Sequence, residues 1–276
     1  MSTHTIAFIG GGNMARSLVG GLVADGWPAA KIRVADPNSE RLDALAQAFH
    51  VQVLQDNAVA LRGAEIVLLA VKPQMVRQVL SELGSELVAQ RPLLMSIAAG
   101  IRERDLSRWL GGKLPVVRTM PNTPALVRSG ATALFANRHV SAPQRDAAES
   151  VMRAVGLTVW VDDEALLDAV TAVSGSGPAY FFLLMEALEA AGSDLGLSPE
   201  VARLLAMQTA FGAAKLALES NEDPTMLRRQ VSSPGGTTEQ AIRVLQSGAF
   251  AELVGNAVRA AKIRSEELAE AFGADG

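Results

Sequence analysis

Three stretches of this sequence set reactive residue types at spacings that chemistry uses. The first is Gly10-Gly11-Gly12-Asn13-Met14-Ala15, a G-x-G-x-x-A turn directly after an apolar run. Gly10 suits a tight turn, Gly12 lets a diphosphate approach the backbone, and Ala15 lets the next helix pack close to a sheet. The helix start then offers unpaired N–H groups and a positive dipole end to phosphate. A glycine-rich turn is often only a turn. Here a strand precedes it, a helix follows, and a carboxylate, Asp36, comes at the right remove. An acid there accepts hydrogen bonds from a ribose 2′-OH, which favours NAD and repels the 2′-phosphate of NADP. Asn38, Ser39 and Arg41 stand beside it and can hold a phosphate instead. Equally, Asp36 can simply open an Asp36-Pro37-Asn38 turn, with Ser39 capping a helix. The choice between NADH and NADPH stays open.

Other strand ends carry polar groups toward the same edge of a sheet, where ligands of such folds lie. Ala70-Val71-Lys72-Pro73 is one; Lys72 either touches ribose or phosphate or is a solvated lysine before a proline-started helix. Ser96-Ile97-Ala98-Ala99-Gly100 and Met120-Pro121-Asn122-Thr123-Pro124 are others, the latter offering Asn122 and Thr123 near a nicotinamide. The candidate cofactor set is Gly10, Gly12, Asn13, Met14, Ala15, Asp36, Ser39, Asn57, Ala70, Val71, Lys72, Pro73, Ala98, Asn122 and Thr123.

The second and third stretches lie in the other half: Val173-Ser174-Gly175-Ser176-Gly177-Pro178-Ala179-Tyr180 and Val231-Ser232-Ser233-Pro234-Gly235-Gly236-Thr237-Thr238-Glu239-Gln240. Thr237 and Gln240 have capping-box spacing, so several N–H groups should converge on one spot, a geometry that suits a carboxylate. Taken alone, both stretches also read as well-capped turns between helices.

The elements that must position these groups follow from periodicity. Apolar runs at Thr5–Gly10, Ile32–Ala35, Ile66–Val71, Leu93–Ala98, Val116–Met120, Ala131–Phe135 and Thr158–Val161 read as strands covered on both faces. Helical segments at Met14–Asp25, Ser39–Phe49, Pro73–Leu83, Arg102–Trp109 and Pro143–Val155 alternate with them, which predicts a parallel, doubly wound sheet over residues 1–163. Residues 164–276 show no strand pattern. Helices are expected at Ala179–Ala191, Pro199–Ser220, Glu239–Gln246 and Phe250–Ala271, with the Ser174–Pro178 stretch as a buried loop before the first of them. The Pro199 segment is apolar around most of its circumference, as a helix buried on several sides is. So short a helical domain cannot surround it alone, which predicts a helical core shared between subunits.

Composition narrows the function classes. The 276 residues are 49% hydrophobic and 20% charged with net charge −4, a globular chain with no leaning toward nucleic acid or an anionic membrane. Without cysteine, disulfides, thiolate metal sites and a cysteine nucleophile are excluded, and a reducing cytoplasm fits. With three histidines, none inside the motifs, a histidine metal site is not expected. The N-terminus lacks the basic stretch of a signal peptide. The uncharged run from Asp168 to Glu186 is interrupted by Ser174–Pro178, so a soluble protein is expected.

The order and spacing of Gly10–Ala15, Ala70–Pro73, Ser96–Gly100, Met120–Pro124, Ser174–Tyr180 and Val231–Thr238 closely resemble the pyrroline-5-carboxylate reductase family over nearly the whole chain. The resemblance implies a Rossmann domain followed by an all-α dimerisation domain. It implies an interlocked homodimer, in many members a pentamer of dimers, and NADPH as donor with NADH tolerated. It implies substrate near Ser232–Thr238, against nicotinamide from the partner's Rossmann domain. On that basis Ser174, Ser233, Gly235, Gly236, Thr237 and Thr238 are candidate substrate contacts, with Thr238 at the imine nitrogen. Asp36 departs from the small polar residue common there. The chemistry agrees: a protonated cyclic imine is already electrophilic and needs no acid of the kind a ketone reductase supplies. Two rivals remain. A β-hydroxyacid dehydrogenase needs a catalytic lysine on a helix in the second half, where Lys215 in its alanine-rich segment is the candidate; a non-catalytic dinucleotide sensor needs no carboxylate-binding turn.

Overall fold

The computed structural model describes residues 4–274. Met1–Thr3, part of the stretch read for a leader, lie outside them, as do the last two residues. The chain runs β1 (Ile6–Ile9), α1 (Asn13–Ala24), β2 (Ile32–Ala35), α2 (Ser39–Phe49), β3 (Gln52–Leu54), α3 (Asn57–Leu61), β4 (Ile66–Leu69), α4 (Pro73–Gln90) and β5 (Leu93–Ser96). It continues with α5 (Glu103–Leu110), β6 (Val116–Met120), β7 (Gly130–Ala136), α6 (Ala142–Arg153), β8 (Gly156–Trp160) and α7 (Leu166–Val170). The remainder is helical: α8 (Gly177–Asp194), α9 (Pro199–Glu219), α10 (Pro224–Gln230), α11 (Thr237–Ser247) and α12 (Phe250–Gly273).

One sheet of eight strands has the order β3-β2-β1-β4-β5-β6-β7-β8. The strand order reverses at β1, between β2 and β4, the switch point where such sheets bind ligands. β1, β4 and β5 are buried along their whole length, which explains their unbroken apolar sequences. One core packs Phe8, Leu68 and Met95 with Leu18, Leu22 and Val151 from α1 and α6. The other packs Ile9, Leu69 and Leu94 with Leu80, Leu83 and Leu106 from α4 and α5.

The sheet is not wholly parallel: β7 runs antiparallel to β6, and β8 follows β7 in parallel. Residues 121–129 join β6 to β7, too short a connection for a helical crossover of about a dozen residues. β3 and α3 escaped the sequence pattern because three and five residues are too few to show a period. α4 runs on past Leu83 to Gln90, Gly84 notwithstanding, because Leu87 is buried in the same core. The Ser174–Pro178 stretch is no loop. Thr171–Gly175 forms a wide helical turn in which the Ser176 N–H donates to the Thr171 carbonyl (2.8 Å), five residues back, and α8 follows at once. Such π-type turns are frequent at functional sites.

The chain divides into two compact units, one running to Ser176 and regaining the residues from Ala261 onward, the other spanning Gly177–Ala260. The first unit thus extends past the strands. Within it α12 is anchored by Asp168, which accepts from Ser265 Oγ (2.7 Å) and from Arg102 Nη2 (2.9 Å). In the second unit α8 and α9 approach closely where Gly192 faces Ala202, and Arg203 pairs with Glu189. Ser198 caps α9, accepting from the Val201 N–H (3.3 Å), with Pro199 at the first turn. By length and composition α9 is apolar enough to cross a membrane, yet in this chain only Ala202 and Ala206 of it are buried. Phe181, Leu183, Leu204, Phe211 and Leu218 stand exposed.

Candidate active site

A cavity of about 820 Å³ opens at the carboxyl ends of the parallel strands. Gly10, Gly12, Asn13 and Met14 form its floor after β1, Asp36, Pro37 and Arg41 its wall after β2, and Gln55 and Asn57 lie beyond β3. Ala70, Val71, Lys72 and Pro73 follow β4, and Ile97, Ala98 and Ala99 follow β5. Five strand ends therefore deliver most of the candidate cofactor set to one place. Ala15 lies beneath, fully buried, packing α1 onto the sheet. Ser39 is exposed and outside the lining.

The turn itself is built for close approach. Gly10 has φ +105°, and a Cβ there would lie 2.7 Å from the Ala70 carbonyl oxygen. Gly12 is the opposite case: a Cβ built on it meets nothing of the chain within 4 Å, so its bareness leaves room at the cavity. Gly12 is also the N-cap of α1 and has no capping side chain. The first intrahelical bond is the Arg16 N–H to the Gly12 carbonyl (2.9 Å), so the amides of Asn13, Met14 and Ala15 lack helical acceptors. An uncapped helix start beside open space fits a diphosphate.

Asp36 is 4% exposed. Its Oδ2 accepts from the Gly11 N–H (2.7 Å) and its Oδ1 from the Asn38 N–H (2.8 Å), while Arg41 Nη1 stands 3.7 Å away. Asn38, not Ser39, caps α2, accepting from the Arg41 N–H (3.0 Å). Ser39, a cap in the plainer of the two readings of this turn, is instead the first residue of the helix, because the Asp36 turn sets Asn38 at its entrance.

Asn122 and Thr123 lie apart from this lining. The Asn122 side-chain oxygen Oδ1 accepts from the Ala131 N–H (2.9 Å), and its Nδ2 donates to the Ser174 carbonyl (3.2 Å) and hydroxyl (3.3 Å). Asn122 thereby ties the end of β6 to the wide turn that carries Ser174. Thr123 is exposed.

In the helical unit, Gly235 takes φ +74° and Gly236 caps α11, which begins at Thr237. The expected Thr237–Gln240 capping box does not form. The positive-φ turn at Gly235 starts the helix one residue early, and the Gln240 N–H bonds the Gly236 carbonyl instead (3.3 Å). Glu239 does the reaching back, accepting from the Gly235 N–H (2.8 Å). The amides of Thr237, Thr238 and Glu239 keep no helical acceptor, and Ser233 and Gly236 close the turn (3.0 Å). Lys215, the lysine a β-hydroxyacid dehydrogenase needs, pairs with Glu219 one turn further along α9.

Residues 164–268 match the family model described as pyrroline-5-carboxylate reductase dimerisation, and residues 5–100 match that described as NADP oxidoreductase coenzyme F420-dependent. A pyrroline-5-carboxylate reductase of Pseudomonas aeruginosa is 54% identical over 99% of this chain and 100% of its own length. That of Haemophilus influenzae is 42% identical over the same shares. The chain belongs to the pyrroline-5-carboxylate reductase family.

Solved structures agree. The pyrroline-5-carboxylate reductase of Coxiella burnetii has a TM-score of 0.94 at 48% identity, covering 97% of this chain and 99% of that one. The Plasmodium falciparum enzyme, solved with NADP bound, has a TM-score of 0.85 at 28% identity over 98% and 99%. As in that family, the chain assembles into homo-oligomers through its dimerisation region and acts on a small molecule. Sequence reasoning missed Pro37, Gln55 and Met75 of the cavity wall. Gln55 follows β3, so finding that short strand would have found it.

Proposed function

We propose that this chain reduces the cyclic imine 1-pyrroline-5-carboxylate to L-proline, with NADPH as donor and NADH as a second donor. The observation that carries this reading is end-to-end likeness: the similarity to the P. aeruginosa reductase spans 99% of this chain, an extent that takes in both the Gly10–Ala15 cradle and the Ser232–Thr238 turn. Bound reduced nicotinamide supplies the hydride. In this reading the amides of Asn13–Ala15 and the bare face of Gly12 hold the diphosphate. Asn57, Ala70–Pro73 and Ala98 line the rest of the cofactor's path, and Asn122 and Thr123 serve its nicotinamide end. The amides that begin α11, with Ser233, Gly235, Gly236 and Thr237, hold the substrate carboxylate, and Ser174 is a further candidate substrate contact. Thr238 accepts a hydrogen bond from the protonated ring nitrogen, holding the electrophilic carbon in place; the catalysis is chiefly positioning.

Residues 1–163 then serve as the dinucleotide domain and 164–276 as the dimerisation and substrate domain. The working form is a soluble cytoplasmic homodimer or a pentamer of such dimers. Mixing the protein with NADPH and pyrroline-5-carboxylate and following loss of nicotinamide absorbance together with proline formation tests the reading. Oxidation of NADPH by a keto acid but not by the imine would replace it with the β-hydroxyacid dehydrogenase alternative.

A further inference from the structure

An acid that hooks a ribose diol must present its oxygens to the cavity. Asp36 does not: it is buried, and both oxygens already accept backbone N–H groups, from Gly11 at 2.7 Å and from Asn38 at 2.8 Å. These bonds fasten the glycine turn after β1 to the turn after β2. Arg41 is placed the other way. Its side chain is 59% exposed, lines the cavity, and stands 3.7 Å from the Asp36 carboxylate. Glu40, next to it, is exposed and outside the lining. Two N–H groups and a guanidinium thus offset the charge of Asp36, which would otherwise repel an anion entering beside it.

We infer that Arg41, steadied by Asp36, is the specificity-determining side chain that engages the adenosine 2′-phosphate of NADP(H), and that Asp36 is a latch of the glycine turn rather than a ribose hook. The inference rests on the chain's being a dinucleotide-dependent reductase and names which residue of that site chooses the dinucleotide. A guanidinium binds phosphate through paired N–H donors, and Ser39, in the first turn of α2, is the neighbouring hydroxyl.

The test is calorimetric titration, without imine, of NADP⁺ and NAD⁺ into wild type, Arg41→Ala, Arg41→Lys and Asp36→Asn. Arg41→Ala should weaken NADP⁺ about 10- to 100-fold and leave NAD⁺ within about threefold, the scale of a charge-assisted hydrogen bond. Arg41→Lys should recover part of the loss. Asp36→Asn turns an amide NH₂ toward a backbone N–H, so it should weaken both nucleotides by a similar factor and lower the melting temperature. Equal or no loss for the two nucleotides in Arg41→Ala would overturn the inference. So would an Asp36→Asn variant that loses NAD⁺ alone and gains NADP⁺. A wild type that prefers NADP⁺ but leaves the imine unreduced would sink the proposed substrate and spare the role of Arg41.

Discussion

Single residues carry the sharpest expectations. Gly10 combines φ +105° with a would-be Cβ 2.7 Å from the Ala70 carbonyl oxygen, which is itself fixed because the Ala70 N–H bonds the Ile9 carbonyl (2.8 Å). Gly10→Ala should therefore cost about 2 kcal/mol or more of stability, read by denaturant melts, and weaken dinucleotide binding beyond that. Thr238→Val keeps the shape and removes the hydroxyl. If that hydroxyl meets the ring nitrogen, kcat/KM for the imine should fall about one to two decades, the worth of a charge-assisted hydrogen bond. NADP⁺ affinity measured by titration should stay unchanged; full activity in the variant would reject the role. The glycine turn was legible from sequence because each glycine answers a local geometric demand. The job of Asp36 was not, because its acceptor bonds come from a turn 25 residues away and from its own turn in equal measure.

Between elements, side chains fasten helix to sheet. Glu149 of α6 accepts from Trp160 Nε1 of β8 (2.9 Å) and pairs with Arg153; Arg145 lies 4.0 Å over the Trp160 ring. The indole hydrogen bond first, then Arg153, hold the Glu149 carboxyl below its ordinary 4.5. A depressed acid stabilises the fold fully above its unfolded value and loses that contribution as pH falls through the folded one. Stability should therefore drop on acidification below about 4.5, the unfolded value; Glu149→Gln should flatten that part of a melting-temperature profile by lowering stability at neutral pH, where the ionised carboxyl contributes, and change it least at acid pH. Asp168 is the stronger fastening. Removing it in Asp168→Ala strands Arg102, and the expected loss is about 3 kcal/mol, measurable by urea unfolding. The long, periodic elements, the C-terminal end of α4 apart, were legible within a few residues because burial on two faces writes itself into composition. β3, α3 and the antiparallel turn of β7 were not, since connection length and neighbours decide them rather than local pattern.

At the scale of the whole molecule, the apolar helices decide behaviour. Phe211 stands at the middle of α9 with 62% of its surface exposed, among Leu204, Met207 and Leu218. Contiguous apolar surface of this kind is rare on monomers, and the dimerisation match spans it. Phe211→Glu should shift light scattering to smaller species or aggregates, and imine reduction should fall with it. Dinucleotide binding should persist, since the cavity lies in the other unit. A variant that stays monomeric and fully active would show that assembly is dispensable for turnover. The all-round apolar sequence of α9 made a shared core legible. The stoichiometry was not, because surface composition sets how much must be covered and leaves the number of copies open.

The first unit takes its last part from the far end of the chain: α12 from Ala261 onward belongs to it, with Ser265 on Asp168 and Phe272 packed against the loop at Gly100. During synthesis this matters. Units that are continuous in sequence can fold as they leave the ribosome, N-terminal first. Here the strands emerge early, yet the helix end that packs on the loop after β5 and bonds Asp168 is made only after the whole Gly177–Ala260 unit. The first unit therefore gains its last contacts only once the chain's second unit has been synthesised.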